Sequence, residues 1–187
     1  MKEYIKESIK NSAAVKEKML LSCVDKINDS ADVLVQALKS GNKVMICGNG
    51  GSAADAQHMA AELVVRFKKN RRAFPSVALT TDTSIMTACA NDFSYEEIFS
   101  RQIEAIGLKG DVLIGISTSG NSPNVIKAIE SAKQIGIKTI GLTGEKPSEL
   151  QKSSDVCISI PSQETARIQE CHILCIHILC DIIEQNI

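Results

Sequence analysis

Tryptophan is absent from this chain, and aromatic residues amount to four Phe and two Tyr. This scarcity argues against a platform of stacked rings for nucleic-acid bases. An excess of positive charge is missing too. The 21 Lys and Arg stand against 22 Asp and Glu, a net charge of -1, which leaves no basic field for a polyanion. Long apolar runs are lacking, since polar or charged residues interrupt each one well short of the ~20 needed for a membrane span. The opening MKEYIKESIK carries charge where a signal peptide would carry its apolar region, so the expected location is the cytoplasm. No CxxC pair occurs among the seven cysteines (23, 47, 89, 157, 171, 175 and 180), which argues against a zinc ribbon or a dithiol redox motif. Cys171, Cys175 and Cys180 share one apolar helical run, where Cys acts as a small hydrophobe, so all seven read as reduced packing thiols.

What is present suits one α/β domain over residues 1–187. Ile5, Ile9 and Ala13 mark one amphipathic stripe, and Ile27, Ala31, Leu34, Val35 and Leu38 another, ended by Gly41-Asn42. Residues 1–40 thus form N-terminal helices, natural material for contacts between subunits. From residue 41 the pattern changes to short Val/Ile/Leu strings at 43–48, 76–81, 111–117, 138–143 and 155–161, as expected of parallel strands buried on both faces. Helical segments separate them near 52–67, across 84–106, at 123–135 and at 147–153. A long final helix runs from about Gln163 to Glu184 with Ser162 as its N-cap. This alternation predicts a three-layer, doubly wound sandwich of about five parallel strands, with ligands bound at the carboxyl ends of the strands where strand order reverses.

Two strand-to-helix turns carry chemistry. In Cys47-Gly48-Asn49-Gly50-Gly51-Ser52, three glycines let a ligand approach the backbone at a helix N-terminus, although a plain tight turn would look the same. Neither a P-loop nor a dinucleotide fingerprint fits its spacing. In Ser117-Thr118-Ser119-Gly120-Asn121-Ser122-Pro123, four hydroxyls precede a helix; one would suffice for a cap, and four point to a phosphate cradle that needs no lysine. His58 and Glu62 share one helix face at i, i+4, a spacing that serves a metal, proton transfer, or nothing beyond the surface. Gln169, His172 and His177 interrupt the very apolar final helix. The basic run from Arg66 to Arg72 reads as a solvated face rather than a site for RNA or acidic lipid, with Arg66 alone placed to face the site.

The blocks GNGGSAADAQHMAAELVVRF (48–67), ALTTDTS (78–84), AND (90–92), ISTSGNSPNV (116–125) and TARIQECHILCIHILCD (165–181) together resemble the sedoheptulose 7-phosphate isomerases, or phosphoheptose isomerases, of the sugar isomerase (SIS) family. STSGNS alone marks only the wider family; the AQHxAAEL and RIQExHxxxxH blocks are more specific. The resemblance implies a flavodoxin-like SIS fold. It also implies an aldose–ketose isomerase that converts D-sedoheptulose 7-phosphate to D-glycero-D-manno-heptose 7-phosphate through an enediol(ate). That step opens heptose precursor synthesis for bacterial surface glycans, lipopolysaccharide core or capsule. It assigns Glu62 and His177 as the acid/base pair, and one zinc ion per subunit to His58, Glu62, Gln169 and His177. Substrate contacts fall on Asn49, Gly50, Gly51, Ser52, Glu62, Asn91, Asp92, Ser117, Thr118, Ser119, Ser122 and Gln169. It further implies a homotetramer with active sites at subunit interfaces, and neither nucleic-acid nor membrane partners. Two departures concern loop shape: Val65 replaces an expected glycine, and GEKPSEL (144–150) lacks the usual ones.

Gln169 and His177 lie eight residues apart, about 12 Å along a straight helix and about 80° around it. Both on one zinc would require a bend or two chains, and the second suggests that Glu62 of one chain works with His177 of a neighbour. The rival reading is a non-catalytic SIS-domain adaptor that binds the replication initiator protein; it would not need the His58, Glu62, Gln169, His177 set. A sugar-phosphate-sensing regulator is disfavoured, because 187 residues leave no room for a separate DNA-binding domain.

Overall fold

The computed structural model describes residues 1–187. Two helices, α1 (Lys2–Ser22) and α2 (Val24–Lys39), lead into five strands: β1 (Val44–Gly48), β2 (Ser76–Ala78), β3 (Val112–Ile116), β4 (Lys138–Gly144) and β5 (Val156–Ile160). Between them run α3 (Gly51–Val64), α4 (Thr83–Asp92), a 3-10 turn (Tyr95–Glu97), α5 (Ser100–Ile106), α6 (Pro123–Ile135) and α7 (Glu149–Ser153), and α8 (Thr165–Asn186) closes the chain. The strands form one sheet in the order β2-β1-β3-β4-β5, and each pairing is parallel. The expected doubly wound sandwich is what forms.

Alternation along the strands divides the core in two. Val44, Ile46, Ile114 and Ile116 point to the layer of α1, α2, α3 and α8. Met45, Cys47 and Leu113 point to the layer of α4 to α7. Each fully buried Leu or Ile contributes about 1.5–3 kcal/mol relative to exposure, so burial on both faces explains why the strand strings are continuously apolar. Six of the seven cysteines are buried and Cys157 is half-buried; all are free thiols. Burial pushes Cys47 and Cys180 up to about 12, as packing thiols require.

Two expected boundaries move. The final helix begins at Thr165, with Glu164 in extended conformation at its N-cap position. Ser162 lies two residues upstream, its hydroxyl accepting from the Glu164 amide at 3.2 Å in a local turn. The string at 76–81 yields only a three-residue strand. Thr81 bonds back to the Ala78 carbonyl, and Asp82 caps α4 by accepting from the Ile85 amide at 2.9 Å, so the chain turns before pairing can continue.

α3 and α8 pack side by side in the same direction. Near the start of both, a Cβ on Gly51 would overlap the Gln169 amide. Seven and eight residues further on, His58 meets His177. Only glycine at position 51 permits this approach.

Candidate active site

β1 and β3 are neighbours, but the helices that follow them leave toward opposite faces, so their turns meet at the point where strand order reverses. A reciprocal amide pair joins the two turns: Asn49 Nδ2 donates to Asn124 Oδ1 at 2.9 Å, and Asn124 Nδ2 donates to Asn49 Oδ1 at 2.8 Å. Tyr95 adds its hydroxyl to Asn49 Oδ1 at 3.1 Å. The Asn49 side chain is thereby committed to tying the two turns together. Gly50 and Gly51 present backbone at the head of α3, and Ser52 is buried over Gly48.

The hydroxyl loop is internally braced. Ser117 and Ser122 hydroxyls lie 2.9 Å apart, Ser117 and Ser119 hydroxyls 3.3 Å apart, and Ser117 Oγ accepts from the Gly120 amide at 3.1 Å. Gly120 has a φ of 68°, and a side chain there would strike Thr143 and Ser148. Ser117 is buried and shapes the loop, whereas Thr118 and Ser119 face a cavity of about 260 Å³. That cavity is also lined by Lys146, Ser162, Gln163 and Thr165. Lys146 is the one charged group in its wall, on the glycine-poor loop at 144–150. Gln169 stands one residue beyond Ile168, the apolar member of the lining. Asn91 and Asp92 sit exposed at the end of α4, bonded to each other at 2.8 Å and outside this cavity.

A second constellation lies further along α3. His58 Nε2 faces Glu62 Oε1 at 3.0 Å and His177 Nε2 at 3.4 Å. His58 thus bridges Glu62 and His177 within one chain, so no neighbour is needed to bring this pair together. Because α3 and α8 run in parallel, Gln169 and His177 reach different turns of α3. Glu62 lies eleven residues past Gly51, about 16 Å along the helix. Within one chain Gln169 therefore does not join His58, Glu62 and His177.

One imidazole nitrogen carries either one proton or one lone pair, so His58 Nε2 cannot satisfy both neighbours, and lone pairs are left converging. Tetrahedral zinc ligands at about 2.0–2.2 Å from the metal stand about 3.3–3.6 Å apart. The His–His distance matches this and the His–Glu distance is slightly shorter. The donor types and the His–His spacing thus fit zinc, although the side chains do not close into a finished cage of three mutually close donors.

Three further residues shape this constellation in ways their sequence setting does not specify. Asp55, one turn before His58, has a buried Oδ2 without a partner; burial pushes its carboxyl up to about 6, with His58 pulling the other way. The Phe67 ring stacks on His177 at 5.4 Å between centroids. Arg71 is largely buried, donating to the Glu62 and Leu63 carbonyls, both at 2.8 Å, and pairing with Glu184 at 3.0 Å. The basic run is therefore not simply a solvated face. His172 is a core residue apart from the site: it is fully buried with Nε2 3.3 Å from the Thr143 carbonyl, and burial lowers its pKa to about 4.

Residues 4–144, which include the hydroxyl-rich loop at the switch point of the sheet, match the SIS domain family model. The chain belongs to that family. It is 49% identical over 189 residues to the phosphoheptose isomerase of Clostridium acetobutylicum, covering 100% of this chain and 96% of that one. It is 54% identical over 170 residues to the Helicobacter pylori strain Shi470 phosphoheptose isomerase, covering 91% and 88%. The structure of phosphoheptose isomerase from Neisseria gonorrhoeae superposes with a TM-score of 0.94 at 42% identity, over 98% of both chains. Within the SIS proteins, this chain belongs to the phosphoheptose isomerases. The adaptor reading finds no support among these relatives.

Proposed function

We propose that this chain interconverts D-sedoheptulose 7-phosphate and D-glycero-D-manno-heptose 7-phosphate, supplying heptose for a bacterial surface glycan. The observation that carries the mechanism is the convergence of Glu62 Oε1, His58 Nε2 and His177 Nε2 within 3.0–3.4 Å steps. Glu62 takes the proton from C1 of the ketose and returns it at C2. His177 moves the proton between the oxygens on C1 and C2, so that neither develops full charge in the enediol. Thr118, Ser119 and backbone amides of the hydroxyl loop hold the phosphate, with Lys146 adding the cation. Zinc would be held by His58, Glu62 and His177, where as a Lewis acid it would polarise the same two oxygens.

The site is completed by a second copy of the chain. An extended chain gains about 1.2 Å per bond, so the eight bonds from C1 to phosphorus span about 10 Å. That is less than the ~16 Å of α3 between the glycine turn and Glu62. The placement of Gln169 beside Gly51, turns away from the trio, supports a site in which one copy supplies Glu62, His58 and His177 and another supplies the hydroxyl loop and Gln169, within a symmetric homo-oligomer such as a tetramer. The test follows aldose formation from sedoheptulose 7-phosphate by NMR, beside five- and six-carbon ketose phosphates, with metal content measured before and after chelation. The expected result is turnover of the seven-carbon ketose and zinc whose removal lowers activity. No aldose would overturn the assignment, and full activity in metal-free protein would remove zinc from it.

A further inference from the structure

The Glu184 carboxylate is buried, with its side chain 1% exposed, yet it is fully engaged. Its two oxygens accept from three successive backbone amides, Phe67 at 2.7 Å, Lys68 at 2.8 Å and Lys69 at 2.8 Å, and from Arg71 Nε at 3.1 Å. Burial of this kind is tolerated only when each lone pair finds a donor. The three amides belong to the segment that leaves α3 just after Glu62. Two contacts run from that segment into the site: Phe67 stacks on His177, and Arg71 donates to the Glu62 carbonyl. The carboxylate at the end of α8 thus fixes the backing of a histidine on its own helix and the helix end that carries Glu62.

We infer that Glu184 is a positioning residue for the Glu62–His177 pair, an inference that rests on the proton-transfer role given to that pair above. It touches neither substrate nor reacting atoms. Its contribution is to hold Phe67 against one face of the His177 ring, so that Nε2 stays turned toward His58. A carboxylate is suited to this because it accepts at both oxygens, while an amide of the same shape presents an NH₂ to backbone donors. Misplacement of a proton-transfer group by about 1 Å costs up to ~10²-fold in rate, so loss of the clamp acts on turnover rather than on phosphate binding.

The test is Glu184→Gln in the full-length protein, beside Asp111→Asn as a control. Asp111 is a comparably buried carboxylate, accepting from the Lys43 amide at 2.9 Å and the Leu108 amide at 2.8 Å, outside the α3–α8 pair. Glu184→Gln should lower kcat ~10- to 100-fold with KM within about two-fold of wild type. It should also shift the His177 ring signal in a histidine-labelled NMR spectrum, which is simple because the chain has three histidines. Asp111→Asn should do neither. If Glu184→Gln does not fold, Phe67→Leu removes the stack without touching the carboxylate and should give the same split. Wild-type turnover in a folded variant, or an equal loss in Asp111→Asn, overturns the inference. Should the wild type prove inactive on sedoheptulose 7-phosphate, the reading of the site fails instead, and an unmoved His177 signal would still overturn the positioning role.

Discussion

At the scale of single residues, position within a turn or a helix separates chemistry from architecture more sharply than residue type does. Ser117 and Ser119 are both hydroxyls of one loop, yet Ser117 is buried and braces the turn while Ser119 faces the cavity. Glu62 and Glu184 are both carboxylates near the end of α3; one stands beside a half-exposed imidazole and the other is enclosed by amides. Glu62→Gln keeps the shape and removes the base, so kcat should fall by about 10²–10⁴ with the fold intact. Ser119→Ala should instead raise KM with kcat nearly unchanged, because a phosphate contact exists in ground and transition states alike. Steady-state kinetics separates the two, and near wild-type turnover in Glu62→Gln would remove that residue from the mechanism.

At the scale of elements, α8 performs three jobs along one length. Its first turns border the phosphate cavity, its middle presents His177, and its end holds Glu184. His172 anchors the helix to β4 through the Thr143 carbonyl, beside the hydroxyl loop that Gly144 joins through its bond to the Thr118 carbonyl. Its lowered pKa makes this anchor pH-dependent. The unfolded chain binds a proton at His172 near pH 6.5, whereas the folded chain does so only near pH 4. The stability that depends on neutral His172 is therefore complete above about pH 6.5 and is lost as pH falls toward 4, on the order of 3 kcal/mol in all. Denaturant titrations at several pH values should show that slope in the wild type and a flatter one in His172→Gln. Identical slopes would mean that His172 is not what the acid limb reports.

For the whole molecule, the separation of trio and phosphate loop makes the division of labour between copies measurable. Glu62→Ala and His177→Ala proteins, unfolded and refolded together, should stay inactive, because both residues serve a site from the same chain. Glu62→Ala mixed with Gln169→Ala should recover, since about a quarter of two-chain sites then draw both intact parts from different parents. Recovery in the first mixture, or none in the second despite proven mixed oligomers, would refute the arrangement. The exposed apolar residues on α1 (Tyr4, Ile5, Ile9, Leu20 and Leu21) fit the expectation that this helix contacts other copies.

The sequence by itself determined whatever rests on local periodicity. Continuous Val/Ile/Leu strings gave buried parallel strands, Gly48-Asn49-Gly50-Gly51 and the four hydroxyls gave the two turns, and i, i+4 spacing put His58 beside Glu62. It left open which face of α8 meets α3 and in what register, because that depends on how residues more than a hundred positions apart interdigitate. Only the tertiary structure set His177 on His58 of its own chain and Gln169 on Gly51, and so separated two residues that had to be weighed as one ligand set. The same packing gave Glu184 its role. A carboxylate near the end of an apolar helix carries no local mark of the three amides that will surround it, since those donors come from a segment 115 to 117 residues away.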